Sequence, residues 1–247
     1  MASLYLVGSL DEVSAGDDVT LDGAEGRHAV AVARVRVGET LRLSDGRGTV
    51  ATGRVESTTR DSLVLTVTST QTQPIARPSL ALVQALAKGG RDEMAVQAAT
   101  EIGVDRITPW AASRSVSRWE GPKVEKGRAR WAAIAQEASK QAIRARVPVV
   151  SDLVTTAQLA AGAVDGPQVA LLVLDPAASL RLAEWDAPTD VDEIALVVGP
   201  EGGIDDGEFD RLVAAGAVRV RLGETVLRTS TAGPAALAIL QTRLGRW

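Results

Sequence analysis

Five short apolar runs in the second part of the chain decide most of what it can fold into. SLALVQAL (79–86), DRITPW (105–110), QVALLVL (168–174), EIALVV (193–198) and VRVRL (218–222) are rich in branched apolar side chains, several of them on successive residues. A strand of that kind is apolar on both faces and has to be covered on both. Between most of these runs lie helical stretches: RDEMAVQAATEIG (91–103), closed by Gly103, and the long amphipathic GPKVEKGRARWAAIAQEASKQAIR (121–144). The second begins near Pro122, a residue the first helical turn tolerates. VPVVS (147–151) adds another strand candidate. Strands alternating with helices predict an α/β domain with a mostly parallel, doubly covered sheet.

The first part of the chain has a different rhythm. LYLVG, DVTLD, ETLRLSD, VATGRVES and SLVLTVTS are short, β-rich and separated by Gly, Asp or Ser turns. They predict a small β barrel or sandwich over residues 1–73, with one short helix in GRHAVAVARVR (26–36). QTQPIARP (71–78) carries two prolines and reads as a linker, so the α/β domain is expected over 74–247.

Composition narrows the function classes. At 247 residues and 45% hydrophobic, the chain can bury a substantial core. Its longest apolar runs, such as VALLVL (169–174), are far below the roughly twenty residues of a membrane span. The start, MASLYLVGSLDEV, lacks a basic segment and reads as no signal peptide. With no cysteine and the single histidine His28, thiolate sites and multi-histidine metal sites are excluded; no metal is expected, and a cytoplasmic location fits. The net charge of −4 argues against a generic nucleic-acid binder. The balance is uneven, however: from Lys88 to Arg146 there are twelve Lys and Arg against seven Asp and Glu. A local basic field can meet phosphate, or it can be the solvated face of helices.

In open α/β sheets ligands sit beyond the carboxyl ends of the strands. Three such loops stand out: DPAAS after 174, GPEGGIDDGEF after 198, and GETVLRTSTAGPAAL after 222. None is a Walker A loop, and the second does not fit G-x-G-x-x-G because Glu201 stands where the middle glycine belongs. Ordinary ATP and dinucleotide sites are disfavoured. Glycine-bearing loops on neighbouring strands remain, able to surround an adenosine-like ligand with peptide groups.

GPEGG followed by an acid-capped helix, LG at 222–223 and VLRTSTA at 226–232 resemble the knotted SPOUT methyltransferases. Within them they resemble the bacterial small-subunit ribosomal RNA uridine-N3 methyltransferases. LAKGGRDEMAVQAATEIGVDRITPW, ASRS (112–115), EASKQAIRARVP (137–148) and the RH pair at 27–28 are similar to further motifs of that family. The resemblance implies a C-terminal knotted parallel-sheet domain and an N-terminal PUA-like RNA-binding β-barrel. It also implies S-adenosylmethionine as cofactor, a homodimer, and 16S ribosomal RNA of the small subunit as substrate. Cofactor contacts are expected from Leu174, Gly199, Pro200, Glu201, Gly202, Gly203, Leu222, Gly223, Val226, Leu227, Arg228 and Thr229. The chain departs from the family at Ser230, which stands where the family usually has glutamate.

Uracil N3 attacks well only as its imide proton leaves. A guanidinium near O2 or O4 would stabilise the anion and a carboxylate could take the proton, so Arg228 and Glu201 are the catalytic candidates. Arg228 could instead brace the fold in an ion pair, and Glu201 could merely hold its loop. Thr229, Ser230 and Thr231 are expected to offer N-cap oxygens to the last helix, and Asp205 with Glu208 reads as a capping pair. Arg27, His28, Lys88, Arg91 and Arg114 are candidates for RNA contact, against a reading as ordinary surface or cap residues. Trp110 ends a strand and could stack a base, although core packing is the expected fate of most of the tryptophans. Two other functions fit less of this pattern: a non-catalytic ribosome-assembly factor, and a SPOUT methyltransferase acting at another RNA position.

Overall fold

A computed structural model describes residues 4–163 and 168–247; the first three residues of the stretch read for a leader lie outside them. Cα packing divides the chain into two units, Met1–Ile75 with Ser139–Val147, and Ala76–Ala138 with Pro148–Trp247.

In the first unit the five β-rich stretches become β1 (Leu4–Leu6), β2 (Asp18–Leu21), β3 (Thr40–Ser44), β4 (Thr49–Thr58) and β5 (Leu63–Thr72). They form one sheet in the order β1-β3-β4-β5-β2, antiparallel except for β1 beside β3. Register shifts at Thr52/Gly53 and Val55/Ser57 bend the long β4–β5 ribbon, as bulges do. Tyr5, Leu21, Leu43, Val55, Leu63 and Leu65 fill its core. Burial of each aliphatic side chain of this size contributes about 1.5–3 kcal/mol.

The expected helix over 26–36 is shorter and starts earlier. The helix α1 (Gly23–Arg27) runs into one wide turn, His28–Val32, where the Ala33 amide donates to the His28 carbonyl at 2.9 Å. β-Branched Val30 and Val32 favour leaving the helix at this point. Residues 139–147 come from beyond the linker in sequence, and a boundary at residue 73 would assign them to the second unit. They pack in the first. The buried Ser44 hydroxyl donates to the Ala145 carbonyl at 2.9 Å, the Arg146 guanidinium donates to the Gln73 carbonyl at 2.7 Å, and Lys140 pairs with Glu25 at 2.7 Å.

The second unit holds the strands β6 (Ser79–Ala85), β7 (Arg106–Ala111), β8 (Val149–Val150), β9 (Val154–Thr155), β10 (Val169–Leu174), β11 (Glu193–Val198) and β12 (Val218–Val220). All pair in parallel, in the order β12-β10-β11-β6-β7-β8, with β9 also against β7. The helices are α2 (Arg91–Ile102), α3 (Pro122–Gln141, whose last turn is counted with the first unit), α4 (Thr156–Gln158), α5 (Asp206–Ala214) and α6 (Thr229–Arg243).

Alternate residues of each central strand point to opposite faces. Leu80, Leu82, Ile194 and Leu196 pack with Val96 and Ala99 of α2, Trp131 of α3 and Leu237 of α6. Ala81, Val83, Ala195 and Val197 pack on the other side with Leu159 and with Leu212 of α5. The sheet is thus covered on both faces, as its continuous apolar strands require. After β12 at the sheet edge the chain returns to the centre, where α6 lies on α2, β6 and β11. No helix among the described residues is long and apolar enough to cross a membrane.

Candidate active site

The three neighbouring strands β10, β11 and β12 end at Leu174, Val198 and Val220, and the loops that follow close around one cavity of about 570 Å³. Leu174, Asp175 and Pro176 form one wall, Gly199, Pro200, Glu201, Gly203 and Ile204 a second, and Arg221 to Gly223 with Thr225 to Arg228 a third. Thr229 and Ala232 of α6, Phe209 of α5 and Arg91 of α2 complete it. Every expected cofactor residue lines this cavity except Gly202, which backs onto Arg114 instead; a Cβ there would meet Arg114 Cβ at 3.2 Å.

The backbone of the GPEGG loop explains its glycines. Gly203 takes φ +74°, a left-handed conformation that side chains resist, and its amide donates to the Pro200 carbonyl at 2.9 Å. At Gly199 a Cβ would come within 2.6 Å of Ile204 Cγ1, so the loop can double back over Ile204 only with glycine there. Beyond it Asp205 and Glu208 form the expected capping box at the start of α5.

Glu201 is held firmly. Its Oε1 accepts from the Arg91 guanidinium at 2.9 Å and from the Lys88 amide at 3.2 Å, and the side chain is 21% exposed. Burial pushes its carboxyl up, but hydrogen bonds from its own amide, Arg91 and the Lys88 amide outweigh that and hold it below the ordinary carboxylate value. A group so stabilised as its anion is a poor proton acceptor. The same contact engages Arg91, expected to meet RNA. Arg114, another arginine expected there, pairs with Asp205 at 3.0 Å.

Arg228 is different. It is exposed, it borders the cavity, and no carboxylate lies within ion-pair distance of it among the described residues. The bracing ion pair considered for it is absent from those residues. It is also the N-cap of α6: its carbonyl accepts from the Thr231 and Ala232 amides at 2.8 and 2.9 Å, and no side chain caps the helix. That corrects the expected hydroxyl cap. Thr229 lies inside the first turn, and its hydroxyl donates to the Gly199 carbonyl at 2.7 Å while accepting from Gln84 Nε2 at 2.9 Å.

Trp110 cannot stack a base. It is fully buried, and its Nε1 donates to the Thr156 hydroxyl at 3.1 Å. Thr156 in turn donates to Glu208, which also accepts from the Ser113 amide and hydroxyl, each at 2.9 Å. Arg27 and His28 lie exposed on α1 and the turn after it, in the first unit. Lys88 lies in the second unit, beside another cavity of about 460 Å³ that Trp119 and Trp131 also line.

Sequence reasoning missed several residues of the site. Asp175 is buried and pairs with Arg219, whose guanidinium sits 4.6 Å from the Phe209 ring centre. Gln84 is fully buried at the end of β6. The available signal for Gln84 was a lone amide within the apolar run SLALVQAL.

The cavity suits S-adenosylmethionine. Its volume lies in the range of small-molecule sites, and its inner wall is apolar at Val198, Val220, Leu222 and Ala232. Both carboxylates that border it, Glu201 and Asp175, are neutralised by arginines. Glycine-rich backbone supplies peptide groups for an adenosine. Among the described residues no three His, Asp or Glu side chains gather in a way that could hold a metal ion.

Residues 75–241 match a family model described as an RNA methyltransferase domain, and residues 21–68 one described as an RNA methyltransferase PUA domain. The chain is 42% identical to ribosomal RNA small subunit methyltransferase E of Mycobacterium bovis, an alignment covering 100% of this chain and 94% of that protein. It is 29% identical to the Bacillus subtilis protein of that name, over 92% of this chain and 91% of that one. The crystal structure of ribosomal RNA small subunit methyltransferase E from Neisseria gonorrhoeae bound to S-adenosyl methionine superposes with a TM-score of 0.87, at 27% identity over 98% of each chain. A Legionella pneumophila structure in complex with the cofactor SAM gives 0.85, at 29% identity over 98% of each chain.

Proposed function

The chain belongs to the RNA methyltransferase family, and from that premise we propose that it methylates N3 of one uridine in the 16S ribosomal RNA of the small subunit. It is an RNA methyltransferase, and its methyl donor is S-adenosylmethionine. The observation that carries the reading is one cavity enclosed by loops from three neighbouring strands, with Arg228, which has no ion-pair partner among the described residues, at its edge.

S-adenosylmethionine brings an electrophilic methyl group on a sulfonium that leaves as a neutral thioether. The protein has to bind it, align the acceptor and exclude water. The glycine loops after β11 and β12 and Leu174 would hold the donor, with Glu201 keeping the first loop in place through Arg91 and the Lys88 amide. Arg228 carries a permanent charge and has no competing carboxylate among the described residues. Set at the cavity edge, it would stabilise the negative charge that develops on the uracil oxygens as N3 loses its proton, an effect typical of preorganised charge. Glu201 fits a positioning role better than that of proton acceptor.

On this reading the first unit, with Arg27 and His28 exposed, binds the RNA, and Lys88 adds a phosphate contact. The protein would work in the cytoplasm as a homodimer, its C-terminal segment threading a knot as the chain returns from β12 to the sheet centre. The test is transfer of labelled methyl from S-adenosylmethionine to small subunits lacking the modification, followed by nucleoside analysis. Label in 3-methyluridine is expected. Label in another nucleoside would reject the N3 assignment, and the absence of transfer would favour a non-catalytic assembly factor.

A further inference from the structure

We infer that Gln84 is a positioning residue, which sets the donor loop and the arginine of the acceptor side in one register through the Thr229 hydroxyl. The inference rests on the donor site proposed above. Gln84 is fully buried, and its Nε2 donates to two oxygens, the Ala85 carbonyl at 3.1 Å and the Thr229 hydroxyl at 2.9 Å. The orientation of the amide is fixed by chemistry, since a carbonyl can only accept. Thr229, having accepted from Gln84, has its own proton free for the Gly199 carbonyl, and it gives it there at 2.7 Å.

The chain of bonds therefore starts on β6, passes through the residue next to Arg228 and ends on the first residue of the GPEGG loop. The middle and the far end of the relay are at the cavity: Thr229, its neighbour Arg228 and Gly199 all line it. Gln84 itself stands behind them. Packing alone does not account for an amide here. Its Oε1 is buried and finds no donor among the described residues, an arrangement that a leucine of similar volume would avoid. What leucine cannot do is direct the hydroxyl of Thr229 onto Gly199.

Gln84→Leu, Thr229→Val, their double variant and Thr229→Ser would be compared with the parent in the full-length chain. Affinity for S-adenosylmethionine would be read by calorimetry, and thermal melting by circular dichroism without the donor. The relay predicts an affinity loss of about tenfold for Gln84→Leu and for Thr229→Val, and no greater loss in the double variant, as for residues acting as a unit. Thr229→Ser, which keeps the hydroxyl, should bind within about twofold of the parent. Single variants that bind like the parent, or losses that multiply in the double variant, would overturn the inference. So would a Thr229→Ser chain as weak as Thr229→Val. A parent that takes up no donor would instead remove the functional reading on which the inference rests. If Gln84→Leu does not fold, the contrast between Thr229→Val and Thr229→Ser decides.

Discussion

The Arg91 guanidinium and the Glu201 carboxylate meet at 2.9 Å, joining the start of α2 to a loop 110 residues further along the chain. The pair is partly exposed, and its consequences are local. It fixes where the GPEGG loop stands, the loop-holding role that the sequence left open for Glu201, and it engages Arg91, a candidate for RNA contact.

Glu201→Gln tests that assignment. Turnover should persist, with affinity for S-adenosylmethionine weakened several-fold, whereas a catalytic base would lose nearly all turnover and the acidic limb of the pH profile. Because the folded-state carboxyl titrates below its ordinary value, its stabilisation is present above the unfolded value and is lost as pH falls through the folded one. Parent and variant should differ by about 1 kcal/mol or less at neutral pH. Denaturant melts below the ordinary carboxylate range should show them converging.

Arg228→Ala should lower kcat by about 100-fold, the scale on which a single preorganised charge-stabilising group acts, while donor affinity stays within about twofold. Steady-state kinetics with small subunits and calorimetry with the donor separate the two quantities. Arg228→Lys should recover only part of the rate, because a point charge replaces a planar fork.

Glu208 links α5 to the loop after β7 and to α4, accepting from Ser113 and Thr156 as well as from the Asp205 amide. Glu208→Ala removes at once the acceptor of the buried Thr156 hydroxyl and of partly buried bonds from Ser113 and Asp205, and should destabilise by about 1–3 kcal/mol. Urea melts followed by circular dichroism check it. Glu208→Gln, which turns a donor toward donors, should fall between parent and alanine.

Much of this organisation was legible in the sequence because it rests on local pattern. Continuous apolar runs foretold the doubly covered parallel sheet, Gly103 closed α2, and the spacing of Asp205 and Glu208 foretold their cap. What escaped depends on partners far apart in the chain. No local signal tells that Arg91 will meet Glu201, that Arg219 will lie over Phe209, or that Asp175 will be buried. The segment 139–147 misled for the same reason: its bonds to Ser44 and Gln73 span more than 70 residues. Thr229 reads as a helix cap by residue type, yet Gln84 and Gly199 offer its hydroxyl better-placed partners.

The most direct test of the site is calorimetric titration of S-adenosylmethionine into the full-length chain and into Gly199→Val, whose Cβ would press on Ile204 and displace the loop. One saturable site per chain in the parent, weakened at least about tenfold in the variant, is the predicted result. A parent with no saturable heat, or a variant that binds as tightly as the parent, would contradict the placement of the donor among these three loops.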